Sequence, residues 1–167
     1  MTEHNSTPET DIWKAFNIKQ KKAKRCGTII FNKTLDKIVA VLNRYSYDIG
    51  ENKWGFPKGG IHKNETYVQC AQRETLEETG LHIEISTKNT SIIKLGSCIY
   101  FPIIIDEKDT ILKPIDTREI FKVKWLPIET LVNYSNKHTN SELKQFLKKS
   151  KTNRARLIAK NNVVRLL

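Results

Sequence analysis

Two hydrophobic periods run along this chain, and the switches between them mark its elements. Short apolar runs of strand length occupy residues 27–31 (GTIIF) and 37–42 (KIVAVL), with the polar stretch 32–36 between them as a turn. Residues 43–53 are polar and read as a loop centred on 50–52. Residues 54–57 (WGFP) are expected to be extended, because Phe56 precedes a proline, and 58–60 (KGG) to turn. The period then lengthens. Val68, Ala71, Thr75 and Leu76 share one side of a helix predicted over 66–79. Thr66 is its N-cap, Gln69 the capping-box partner and Gly80 the left-handed C-terminal residue. Strands are expected again at 81–85, 91–95, 97–105 and 120–125, with a loop at 106–110. A short helix begins at 127–131, an amphipathic one covers 141–149, and a second basic helix runs through 154–160. This order of mixed strands and few helices predicts an α/β or α+β domain in three layers. The division expected is a disordered basic leader at 1–24 followed by one domain at 25–167.

At 167 residues the chain is long enough for one ordinary core. No apolar run approaches the roughly 20 residues that a membrane-spanning helix needs. The polar stretch 1–11 lacks the apolar segment of a signal peptide. A cytoplasmic protein without membrane association is therefore expected. The 3 cysteines are far apart and show no CxxC spacing, which argues against a zinc ribbon or a disulfide scaffold.

Charge changes the picture more. The formal net charge is +11, and it is unevenly distributed. Lysines and arginines crowd residues 14–25 and 137–165, whereas most carboxylates lie between. A central acidic site flanked by basic arms suits a metal-dependent enzyme acting on a large anion, although two solvated basic surfaces would read the same way.

Within the predicted helix, Glu74, Glu77 and Glu78 stand at i, i+3 and i+4, and so share one face. Carboxylates this close repel unless a cation neutralises them. Hard oxygen donors with no histidine or cysteine among them favour Mg²⁺ or Mn²⁺ over zinc. Arg73, four residues before Glu77, is able to pair with it. Taken alone, the helix reads equally well as a solvated acidic face.

The wider segment GGIHKNETYVQCAQRETLEETGL separates the two readings. Gly59, Glu65, Arg73, Glu74, Glu77, Glu78 and Gly80 occur at the spacing G-x5-E-x7-R-E-U-x-E-E-x-G-U, where U is aliphatic, and Leu81 fills the last position. This resembles the signature of the Nudix hydrolases. Thr75 departs from it at the first U position. The resemblance implies an α/β/α sandwich with a mixed β-sheet and a loop–helix–loop. It implies metal ligation by the Gly59 carbonyl, Glu74, Glu77 and Glu78, with Glu65 and Arg73 orienting the site. It also implies hydrolysis of a nucleoside diphosphate-linked substrate. Two or three divalent ions would neutralise the pyrophosphate, acidify a bound water and stabilise the leaving oxygen.

The flanks resemble the catalytic domain of mRNA-decapping enzymes. The lead-in KWGFPKG (53–59) and the segment 116–131 carry this likeness, which places Glu119 as a further metal ligand or general base. The expected reaction is cleavage of capped RNA to 7-methylguanosine diphosphate and 5′-monophosphorylated RNA. Lys148, Lys149, Lys151 and Arg154 are candidates for the RNA path. Lys58 and His62 are candidates for phosphate contact, and Tyr45 and Tyr47 for base stacking. Two departures keep alternatives open. Decapping enzymes carry a helical regulatory domain before the Nudix domain, whereas about 24 residues precede the first strand here. Gly60 stands where they often have lysine, a wording shared with dinucleoside polyphosphate and diphosphoinositol polyphosphate hydrolases. A Nudix-fold module that binds RNA or a nucleotide without turnover is the reading of another class, and the intact carboxylate set argues against it.

Overall fold

In the computed structural model of the chain, residues 23–86, 91–134, 137–149 and 164–166 are described. Strand β1 (Arg25–Phe31) alternates Cys26, Thr28 and Ile30 on one face with Ile29 and Phe31 on the other, all buried. Its two faces therefore meet two separate cores, and helices cover both sides. One core lies under helix α2 (Tyr67–Thr79) and contains Ile30, Val39, Val68, Ala71 and Phe101. The other lies under α3 (Ile128–Asn133) and α4 (Ser141–Leu147) and contains Phe31, Phe56, Tyr100, Leu131, Leu143 and Phe146. This is the expected three-layer α/β/α arrangement around a mixed sheet.

The sheet has seven strands. β1 runs parallel to β7 (Cys98–Ile104), and β7 is antiparallel to β6 (Ile93–Leu95). β2 (Lys37–Asn43) is antiparallel to β8 (Ile120–Pro127). β1 and β2 touch through the pair Phe31–Ile38 at their joining turn and then diverge. The lead-in fills the split: β3 (Trp54–Gly55) pairs with β2, and β4 (Lys58–Gly60) pairs with β1. Pro57 lies between these two short strands. Its carbonyl accepts a hydrogen bond from Thr28 N–H at 3.2 Å, and its missing N–H falls outside both short strands. A two-stranded ribbon joins β5 (Ile83–Ile85) to β9 (Val164–Leu166).

Several boundaries differ from expectation. Residues 58–60 form a strand rather than a turn, because the split sheet offers β1 as a pairing partner. Part of the presumed loop 43–53 is a helix, α1 (Arg44–Asp48), whose N-cap Asn43 accepts from Tyr45 N–H at 2.9 Å. A 3₁₀ turn (Glu107–Asp109) lies within 106–110. Helix α2 begins after Thr66 with the full capping box, and Gly80 is left-handed with φ 78°. Trp125, partly buried against the first core, donates to Thr110 Oγ1 at 3.1 Å. The expected leader, except at its last two residues, and the expected helix at 154–160 lie outside the described residues.

Thr75, the departure at the aliphatic position, is fully buried. Its hydroxyl donates to Ala71 C=O at 2.7 Å and, with that proton committed, accepts from Thr28 Oγ1 at 2.8 Å. Two buried hydroxyls thus satisfy one another across the helix–sheet seam.

Candidate active site

Helix α2 presents its carboxylates toward the loop that precedes it, and close backbone approach holds them there. A Cβ on Gly59 would lie 2.1 Å from the Glu74 carboxyl carbon. Only glycine leaves room for that carboxylate beside the loop. Arg73 gathers the rest. Its Nε donates to Glu65 Oε1 at 2.7 Å and its Nη2 to Glu65 Oε2 at 3.0 Å, a fork-on-fork pair. Nη2 also donates to Gly60 C=O at 2.8 Å. Nη1 reaches Glu74 and, at 3.1 Å, Glu77 Oε2, the pairing its spacing foretold. Glu65 additionally accepts from His62 N–H at 2.9 Å, which ties the loop to the helix.

Electrostatics divide these acids. The Arg73 guanidinium holds Glu65 down to about 2. Burial pushes Glu74 up despite Arg73. Burial pushes Glu78 up to about 8, against the pull of its one hydrogen bond, from Lys58 N–H at 2.9 Å. Glu74 and Glu119 each add repulsion at Glu78. Glu77 is more open, with 42% of its side chain exposed.

Glu119 arrives from the far end of the chain. Lys113 N–H bonds to Thr79 C=O at 2.9 Å, and Ile115 and Asp116 N–H bond to Glu77 C=O at 2.8 and 3.0 Å. The segment before β8 thereby satisfies carbonyls that the last turn of α2 leaves open. Asp116 Oδ1 then accepts from Arg118 and Glu119 N–H, and Glu119 C=O accepts from Arg44 N–H at 2.8 Å.

Beside these carboxylates, where β1 and β2 part, lies a cavity of about 270 Å³. Glu78, Glu119, Lys58 and Gly59 line it, and all four were expected from the sequence. Arg25, Asn43, Lys53 and Asn140 line it too and were not expected. Asn43 and Asn140 carry a legible signal, since each precedes a helix as its N-cap. Arg25 and Lys53 carry none beyond their charge.

Other predicted site residues lie elsewhere. His62 is exposed in the loop and does not line the cavity. Tyr45 is 72% exposed on α1, and Tyr47 stacks on Phe121 with ring centroids 3.5 Å apart. Neither tyrosine lines the cavity. Lys148 and Lys149 follow α4 and are also outside the cavity. Lys151 and Arg154 lie outside the described residues.

Among the described residues, no three His, Cys, Asp or Glu side chains are grouped so that they could hold a metal ion as they stand. The arrangement still fits a hard dication. The donors are all oxygen, and burial disfavours the charged forms of Glu74 and Glu78, which a bound cation would favour. Gly59 keeps its backbone against Glu74 without an intervening methyl. No helix among the described residues is long and apolar enough to cross a membrane.

Comparison with known proteins accords with this geometry. The NUDIX domain family matches residues 21–149. The chain is 33% identical over 109 residues to the m7GpppN-mRNA hydrolase dcap-2 of Caenorhabditis elegans, covering 63% of this chain and 14% of that protein. It is 28% identical over 145 residues to the mRNA-decapping enzyme subunit 2 of Arabidopsis thaliana, covering 82% of this chain and 37% of that protein. The chain thus spans well under half the length of either relative. Among solved structures, a C. elegans Ap4A hydrolase shares the fold with a TM-score of 0.50 at 21% identity, over 74% of this chain and 95% of that one.

Proposed function

Because the chain belongs to the Nudix family of pyrophosphohydrolases, which generally use divalent metal ions, we propose that it cleaves capped RNA within the triphosphate bridge. The products would be 7-methylguanosine diphosphate and 5′-monophosphorylated RNA. The observation that carries this reading is the likeness to two decapping enzymes, extending over 63% and 82% of the chain. The net charge of +11 supports a polyanionic substrate, with Lys148, Lys149, Lys151 and Arg154 contributing to its path.

Glu74, Glu77, Glu78, Glu119 and the Gly59 carbonyl would hold Mg²⁺ or Mn²⁺, two or three ions in all. When bound, the metal supplies charge neutralisation of the pyrophosphate and a more acidic water. Burial disfavours the charged form of Glu78 in the metal-free site, and a bound dication would restore it as a carboxylate ligand. Lys58 brings an ammonium to the cavity wall beside Glu78, where phosphate oxygens would lie. Arg73 keeps Glu65, Glu74 and Gly60 in fixed relation, a positioning role.

The test is a product assay with Mg²⁺ or Mn²⁺ on RNA labelled in its cap. A diphosphoinositol polyphosphate and a dinucleoside tetraphosphate serve as competitors, and Glu78→Gln as control. Labelled 7-methylguanosine diphosphate should appear, resist both competitors, and fall by orders of magnitude in Glu78→Gln. Rapid cleavage of a competitor with an intact cap would make this a small-molecule polyphosphate hydrolase. A Glu78→Gln rate near that of the parent would remove Glu78 from the reaction.

A further inference from the structure

Outside the cavity, two aromatic rings and two cations are gathered on one exposed face. The register between β2 and β8 pairs Asn43 with Ile120 and Leu42 with Lys122, so Phe121 is an extra residue on β8. A bulge of this kind turns a side chain out of the ladder. Phe121 meets Tyr47 of α1, with the rings 11° from parallel and their centroids 3.5 Å apart. Arg44 Cζ lies 5.4 Å and Lys122 Nζ 5.6 Å from the centre of the Phe121 ring, both within cation–π reach.

This stack is not a closed piece of core. Tyr47 stays 43% exposed and its neighbour Tyr45 72% exposed, so ring surface is left open after Phe121 is covered. The cations are open as well. Arg44 donates its Nε to Thr117 C=O at 2.8 Å, but among the described residues neither Arg44 nor Lys122 has an ion pair. Asp116 pairs with Arg118 at 3.5 Å instead, and Asp48, one turn after Arg44 on α1, takes no ion pair. Lys124 adds an exposed cation two residues further along β8.

The face begins where the cavity wall ends. Asn43, Glu119 and Ile120 line the cavity, and Arg44 and Phe121 are the next residues along the chain. Arg44 N–H also donates to Glu119 C=O at 2.8 Å, which holds the two segments together. Open rings flanked by unpaired cations suit a base together with its phosphate. The positively charged 7-methylguanine of a cap is a poor occupant, because Arg44 and Lys122 would repel it. A duplex is poor too, because its bases are already stacked on one another. A single strand meets both requirements.

We propose that Tyr47, Phe121, Arg44 and Lys122 form a stacking platform for single-stranded RNA beside the mouth of the cavity. A base lies on Tyr47, and phosphates are met by Arg44 and Lys122. The proposal rests on an RNA substrate entering the cavity, and it names where the RNA body runs next, apart from the basic residues that follow α4.

The test is equilibrium binding of a short labelled RNA, uncapped and of mixed sequence, without divalent metal, so that no cleavage is involved. Tyr47→Leu keeps apolar cover on Phe121 but has no ring, and should weaken single-strand binding about tenfold, the loss of one stacked base. Tyr47→Phe should bind like the parent. Lys122→Gln, at an exposed position, should reduce the salt slope by about 0.7. A duplex of the same sequence should bind the parent and Tyr47→Leu alike, and thermal melts establish that each variant is folded. Single-strand affinity unmoved in Tyr47→Leu, a loss shared equally by the duplex, or an unchanged slope in Lys122→Gln would overturn the platform. A parent that binds no RNA would also overturn it and leave the exposed rings to a protein partner. RNA binding through Tyr47 by a protein that releases no 7-methylguanosine diphosphate would uphold the platform and remove the decapping reading alone.

Discussion

Adjacent glycines at the head of the site should respond to the same substitution in opposite ways. Gly59→Ala places a Cβ 2.1 Å from the Glu74 carboxyl carbon and Oε1 and 2.2 Å from Oε2. Ordinary contact for such atoms is roughly 3.5 Å, so the carboxyl must retreat by more than about 1 Å. It has little freedom to do so, because its side chain is 9% exposed and hydrogen-bonded to Arg73. Overpacking of this kind costs about 1–3 kcal/mol. For a domain of this size that lowers Tm by roughly 2–4 °C per kcal/mol. If Glu74 holds metal as proposed, a 1 Å displacement of it is worth about 100-fold in turnover. A Cβ on Gly60 meets nothing within 4 Å. Both residues belong to β4 and neither has positive φ, so the backbone contribution to the two substitutions is alike. Thermal melts of the two variants, with Mn²⁺ titration of Gly59→Ala, isolate the contact with Glu74. Equal melting losses in the two variants would refute the claim that Gly59 exists to admit that carboxylate.

The Thr28–Thr75 pair gives a double-mutant cycle. Thr75→Val strands a buried Thr28 hydroxyl and should cost about 1–3 kcal/mol, while Thr28→Val/Thr75→Val should recover most of it in denaturant titration. Additive losses would mean that the hydroxyls do not act together. Glu65 is held at about 2 when folded against roughly 4.3 when unfolded. Because the folded value is depressed, its contribution is full above the unfolded value and disappears as pH falls through about 2. The stability gap between parent and Glu65→Gln should therefore shrink as pH falls from 5 toward 2, and a constant gap in urea titrations would contradict the Arg73 pairing. Neutralising Lys148, Lys149 and Lys151 together should weaken single-stranded RNA binding and reduce its salt slope by about 0.7 per lost contact. An unchanged slope would move the RNA path away from the end of α4.

Much of the site was legible because its physics is local. The i, i+3, i+4 spacing of Glu74, Glu77 and Glu78, the Thr66–Gln69 capping box and the left-handed Gly80 all follow from one helix and its ends. Arg73 to Glu77 is likewise a one-turn relation. What was not legible depends on distant pairing. Nothing at residues 58–60 announces a strand, because their partner is β1, more than 30 positions earlier. Lys53 reaches the cavity from just before β3 and Arg25 from the start of β1, and only the divergence of β1 from β2 brings those segments to the same crevice. The placement of Tyr45 and Tyr47 depends on structure the sequence does not announce. Their place before the signature suggests a pocket wall, but α1 directs Tyr45 to solvent and Tyr47 onto Phe121.

The split sheet also explains why the residues of this site are so scattered in sequence. An intact β1–β2 ladder would leave no crevice between those strands. The pairing at Phe31–Ile38 stops after one register, and the lead-in then supplies β3 to one strand and β4 to the other. Backbone hydrogen bonding is thus conserved while a concavity opens beside α2. Gly59 and Lys58 come from the inserted strands, Glu78 from the helix over them, and Glu119 from the segment that completes the helix C-terminus. Asn43 and Asn140 mark where the chain leaves the sheet and enters a helix, so each uses its oxygen for the cap and has its amide to spare. The same local rule that starts a helix therefore supplies polar residues to the cavity that Glu78 and Glu119 also line.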